Sequence, residues 1–134
     1  MKRIETKITI RATAEHVWQN LVDFASYPEW NPFIPSIKGK ATAGTFLEIL
    51  IKPPRELGRT FRPNVLKAEP GHELRWVGRL LTGWLFEGEH CFAIERHSVD
   101  DVVLHHNETF RGLLVALAPA YVDTYAAPSF NPVR

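Results

Sequence analysis

The sequence predicts an α+β domain in which a long antiparallel sheet curls around helices on one of its faces. Three observations carry that expectation. Residues 4–11 alternate apolar and polar side chains with the period of two that a half-buried strand requires. Six further strand-like runs follow, separated by short breaks of turn chemistry, which is the layout of consecutive hairpins. Helical spacings of three and four are confined to one stretch behind the first strand and one near the carboxy terminus.

In the first strand Ile4, Thr6, Ile8 and Ile10 share a face, opposite Glu5, Lys7, Thr9 and Arg11. Thr13 is placed to cap a helix with Glu15 in its first turn, and Val17, Leu21 and Phe24 recur along one side, with Trp18, Val22 and Ala25 beside them. Pro28 and Pro32 then end the helix and force an extended, aromatic-rich crossing over 26–32. The strand-like runs are 33–41, 46–52, 57–68, 72–77, 84–96 and 102–111, seven strands with the first. Between them lie Thr42-Ala43-Gly44, Pro53-Pro54, Glu69-Pro70-Gly71, Thr82-Gly83 and Asp100-Asp101. Gly112 ends the pattern, and Leu114, Leu117, Tyr121 and Tyr125 mark one side of a closing helix over about 112–127 that Pro119 kinks; 128–134 is expected to be disordered.

At 134 residues the chain is expected to be one domain, 1–134, because two separate cores would each bury too little surface. Sixteen Lys and Arg against fifteen Asp and Glu give +1, too weak a field to expect nucleic acid or an anionic membrane as partner. The single Cys91 argues against a disulfide framework or a cysteine zinc site and fits a reducing cytoplasm. The opening Met1-Lys2-Arg3-Ile4-Glu5 leads into alternation rather than an apolar run, so no export signal is expected. Pro119, Asp123 and Pro128 interrupt the apolar tail, so no membrane insertion is expected either.

This order of elements, with Ala-Thr-Ala-Glu-His-Val-Trp-Gln at 12–19 and Tyr-Pro-Glu-Trp-Asn-Pro-Phe at 27–33, resembles the SRPBCC superfamily of START-related, pollen-allergen-like helix-grip proteins. Thr60-Phe61-Arg62-Pro63, Glu73-Leu74-Arg75-Trp76-Val77-Gly78, Gly88-Glu89-His90 and Glu108-Thr109-Phe110-Arg111-Gly112-Leu113-Leu114 are similar to its small bacterial, polyketide cyclase/dehydrase-like branch. The likeness covers roughly residues 2–115. It implies a curved antiparallel seven-stranded sheet around a C-terminal helix, two short helices after the first strand, and an enclosed cavity suited to an apolar small molecule. The fold implies a cavity and not a reaction. The sequence departs from the family at its end, where members carry a long helix with a charged outer face. Here Asp123 is the only charge between Gly112 and Pro132. A short kinked lid is expected, or an apolar surface that packs on a second copy in a homodimer.

Alternation places Phe86, Gly88, His90, Phe92 and Ile94 on the apolar, inward face of their strand, opposite Glu87, Glu89, Cys91 and Glu95. On the next strand Val102, Leu104, His106, Glu108 and Phe110 oppose Val103, His105, Asn107, Thr109 and Arg111, two sets of similar apolar content. Phe110 and the resemblance select the His106 face as inward. His90, His106 and Glu108 then enter an apolar space, where a polar group lacking a partner costs about 1–3 kcal/mol. One reading is a structural bridge in which Glu108 accepts a hydrogen bond from a histidine or from Arg62. A second has these residues orient the polar end of a bound apolar molecule. A third is acid/base catalysis by His106 and Glu108, since burial raises a carboxyl pKa and lowers an imidazole pKa toward proton transfer near neutrality. Two His and one carboxylate also form a facial triad for iron, but the spacing matches no metal motif, so neither metal nor other cofactor is expected.

Among the aromatics, Trp76 shares a face with Leu74 and Gly78, Trp30 is a wall or wedge between helix and sheet, and Trp84 belongs to a rim. His105 is expected to face outward and His16 to lie on the polar side of its helix. The ligand-contacting set is therefore Trp30, Phe61, Trp76, Phe86, His90, Phe92, His106, Glu108 and Phe110. The function expected is binding, or transport, of a hydrophobic or amphipathic lipid-like or polyketide-like molecule. The alternatives are an aromatase/cyclase- or dehydratase-type enzyme and a non-catalytic dimeric interaction module.

Overall fold

The computed structural model describes residues 1–31, 34–55, 57–80 and 84–117, the side chains of Trp30 and Leu80 excepted. The chain runs β1 (Lys2–Ile10), α1 (Ala14–Val22), a 3-10 turn (Phe24–Ser26), α2 (Tyr27–Trp30), β2 (Ser36–Lys38), β3 (Glu48–Ile51), β4 (Arg59–Phe61), β5 (Asn64–Glu69), β6 (Glu73–Leu80), β7 (Phe86–Arg96), β8 (Val102–Arg111) and α3 (Leu113–Leu117). The result is an α+β fold of antiparallel strands with few helices.

The strands form two sheets, of order β1-β8-β7-β6-β5 and β2-β3-β4. The described residues thus hold eight strands, where the sequence patterns predict seven. The difference lies in the run 57–68, which divides at Arg62-Pro63 into β4 and β5. Pro63 has no N–H to give to a ladder, so pairing with β3 stops there and pairing with β6 begins one residue later. Its carbonyl still accepts from the Leu47 N–H at 2.8 Å, and Phe46 bridges Asn64, which ties the sheets together at the break.

α1 starts where expected: the Thr13 hydroxyl accepts from the His16 N–H at 3.1 Å, and Ala14, Val17 and Leu21 are buried. They pack with Leu74, Trp76, Phe92, Ile94 and Leu104 of the large sheet into one core. The extended crossing expected over 26–32 is corrected, because Tyr27–Trp30 forms the short helix α2. Pro28 sits in its first turn, where an N–H would have no helical acceptor and the fixed φ of proline already suits a helix. Tyr27 is fully buried, and its hydroxyl donates to the Leu21 carbonyl at 2.5 Å, closing α2 back on α1.

Gly112 has φ +112°, and a Cβ there would lie 2.6 Å from the Leu85 carbonyl oxygen. The chain therefore turns tightly at the end of β8, and the Leu113 and Leu114 N–H groups donate to the Trp84 and Leu85 carbonyls. α3 is described to Leu117; the remainder of the helix expected over 112–127, and the 128–134 tail with its dimer expectation, lie outside the described residues. Among those residues no helix is long and apolar enough to cross a membrane.

Candidate functional site

The registers of the large sheet build the site row by row. Antiparallel partners share a face, and the pairs Trp76↔His90, His90↔Glu108 and Ile4↔Glu108 form one row across β6, β7, β8 and β1. The next row is Leu74, Phe92, His106 and Thr6. Phe110 lies across from Gly88, whose missing side chain leaves room for the Phe110 ring. This is the face on which α1 packs, so the inward orientation of His106, Glu108 and Phe110 follows from the tertiary structure. Glu108 is 1% exposed.

One carboxyl oxygen gathers the polar groups. Glu108 Oε1 lies 3.3 Å from His106 Nε2 and 3.5 Å from His90 Nδ1. Around it the rings close up: His106 lies flat on Phe92, His90 stacks on His106 at 5.9 Å, and Trp76 covers His90 at 5.7 Å. Phe110 meets His90 edge-on and stacks on Phe86 at 6.0 Å. Burial lowers the His90 pKa to about 4. Burial first, and the neighbouring His90 second, lower that of His106 to about 3. Both imidazoles are therefore neutral near pH 7, each with one N–H donor and one basic nitrogen.

Trp76, Phe86, His90, Phe92, His106, Glu108 and Phe110 thus meet on one face. Phe61 does not share their sheet: it is half-buried in β4, opposite Ile49. The Trp30 side chain lies outside the described residues, and Trp84 is exposed. The partner expected from Arg62 is corrected, since Arg62 is exposed and faces Glu48 at 3.8 Å. His105 is on the outer face beside Glu95, and His16 is exposed. Cys91, also on the outer face, has its thiol pKa pushed up chiefly by burial, which makes it a poor nucleophile.

Two features escape the sequence reading. The Thr6 hydroxyl donates to the His106 carbonyl at 3.1 Å, fixing the strand that carries the site; alternation already marked Thr6 as inward. A polar cleft of about 580 Å³, lined by Arg11, Ala12, Thr13, His16, Asp100 and Asp101, lies where the β1–α1 junction meets the β7–β8 turn. Nothing local in the sequence signals that two segments ninety residues apart meet there.

A helix-grip-like α+β fold with a buried His/His/Glu cluster on an aromatic sheet face defines the general class. Residues 1–124 match the model of the polyketide cyclase / dehydrase and lipid transport family, and the chain belongs to that family within the SRPBCC superfamily. No curated protein matches it. Among solved structures it is similar to a START superfamily protein from Mycobacterium smegmatis, with TM-score 0.66 and 17% identity over 91% of this chain and 90% of that one. The di-domain ARO/CYC StfQ from the steffimycin biosynthetic pathway gives TM-score 0.69 at 15% identity; 92% of this chain is covered, and it spans 41% of that protein. Norcoclaurine synthase from Thalictrum flavum, solved with dopamine and hydroxybenzaldehyde, gives TM-score 0.64 at 13% identity over 90% of this chain and 76% of that one. At these identities the likeness is one of fold.

Proposed function

We propose that the inner face of the five-stranded sheet binds a hydrophobic or amphipathic small molecule, with Phe86, Phe110 and Trp76 against its apolar body and the His90/His106/Glu108 cluster at its polar end. One observation carries this reading: two imidazoles converge on a single Glu108 carboxyl oxygen inside an otherwise aromatic surface. Such a surface holds an apolar molecule by area and orients it by a few polar groups. Membership in a lipid-transport and cyclase family supports the same class of ligand.

Native mass spectrometry of freshly purified protein, with denaturing extraction of anything bound, tests it. One apolar molecule per chain is expected, or saturable uptake of an apolar naphthalene dye that a fatty acid displaces and Phe110→Ala weakens. A clean apo mass combined with no saturable dye uptake would overturn the reading.

A second reading, acid/base catalysis of cyclisation or dehydration, rests on the geometry that sets two imidazoles beside one carboxyl. It requires that Glu108→Gln and His106→Gln abolish turnover of a linear poly-β-ketone thioester while dye affinity stays within about twofold. Turnover that survives both substitutions would remove it.

A further inference from the structure

His90, His106 and Glu108 each offer one ligand atom, and these atoms all lie within 4.8 Å of one another. Their spacing in the sequence matches no metal motif; the β7–β8 register brings them together by setting His90 opposite Glu108, with His106 two residues along the same strand. The distances carry chemical information. Zinc bonds of ~2.0–2.1 Å set tetrahedral ligand atoms ~3.3–3.5 Å apart. The two edges that meet at Glu108 Oε1, 3.3 and 3.5 Å, match that spacing. An octahedral site with bonds of about 2.1 Å would need edges nearer ~3.0 Å. The third edge, between the imidazole nitrogens, is no longer than 4.8 Å and must shorten when an ion draws the three donors in.

We propose that His90 Nδ1, His106 Nε2 and Glu108 Oε1 form a site for a tetrahedral divalent transition ion of the zinc type, with the fourth position left to water or a ligand donor. Two His and one carboxylate with an open position is a donor set that borderline-soft ions take. The proposal goes beyond ligand binding and is read out separately from it.

Cobalt(II) supplies the probe, because a tetrahedral Co²⁺ site absorbs strongly in the visible. Titration of the full chain is expected to give one intense band that saturates at one Co²⁺ per chain and is displaced by Zn²⁺. His90→Gln and His106→Gln should weaken it by at least the roughly 10-fold that even outer-shell changes cost. The outer-face trio Glu95, His97 and His105 is the competing site, with Glu95–His97 at 2.7 Å and Glu95–His105 at 3.4 Å. A His97→Ala/His105→Ala double variant should leave the band unchanged. If a cluster variant does not fold, the wild-type chain still decides: Co²⁺ should broaden the NMR signals of His90 and His106 before those of His97 and His105. Absence of a saturable band, a band lost in the double variant, or the reverse order of broadening would overturn the proposal. Dye uptake on the same samples reports the ligand reading, so either can fail alone.

Discussion

The imidazole of His106 lies flat against the ring of Phe92, with centroids 4.5 Å apart and planes 7° from parallel. The two residues are direct partners across β7 and β8, so the stack is a product of register. A neutral imidazole stacks as an aromatic ring, whereas a protonated one would bring an ionic charge into a surface sealed by Phe92, Leu104 and Leu74.

Stability is expected to fall with acidification through these histidines. Their folded pKa values, about 4 for His90 and about 3 for His106, lie below the ordinary 6.5. Between those values and 6.5 the unfolded chain binds more protons than the folded one. The contribution is complete above pH 6.5 and is lost as pH drops toward about 4 for His90 and about 3 for His106, by at most about 1.4 kcal/mol per pH unit for each imidazole. Urea midpoints at pH 7, 6 and 5 should decrease in that order, and His106→Phe should flatten the slope. An unchanged midpoint between pH 7 and 5 would contradict the assignment.

Phe92→Ala should cost about 3–5 kcal/mol, the range for truncating a buried aromatic ring. Phe92 is fully buried and contacts both Trp76 and His106. Chemical denaturation measures the loss, and a cost under about 1 kcal/mol would show that the site collapses around the void.

Two glycines separate backbone strain from steric conflict. Gly44 has φ +89° with open space around its Cβ position, so Gly44→Ala should cost about 1–2 kcal/mol from conformation alone. Gly112→Ala adds a clash with backbone and should cost clearly more, since Leu85 must shift. Equal losses for the two variants in thermal melts would remove the steric part of the account.

On the outer face Glu87 spans three strands, with Arg79 at 3.0 Å and Arg111 at 3.3 Å. Both arginines are about half exposed, so water screens the pairs. Glu87→Gln should change stability by less than about 1 kcal/mol, and a larger loss in denaturant titration would show that the network is coupled.

The parts of the fold that were legible in the sequence are those set by local backbone geometry. Alternation assigned Phe86, His90 and Phe92 to one face, and Thr13 marked the start of α1. Proline was misread twice for one reason: its effect depends on position. Pro28 occupies a first helical turn, where a missing N–H is harmless, and Pro63 divides a run that reads as one strand. The ladder partners that reveal these positions are distant in the chain.

The sequence by itself determined which side chains share a face, because a strand alternates whatever it pairs with, and it determined the family through motifs read in order. Tertiary structure decided the registers, and through them every distance in the site. β1 pairs with β8 about a hundred residues away, setting Thr6 beside His106, while the β7–β8 pairing brings His90 and His106 to one oxygen of Glu108. Alternation alone left the inward face of β8 open, since both of its sides carry apolar residues. Packing against α1 chose between them, because only the Leu104 and His106 side meets the helix-covered core.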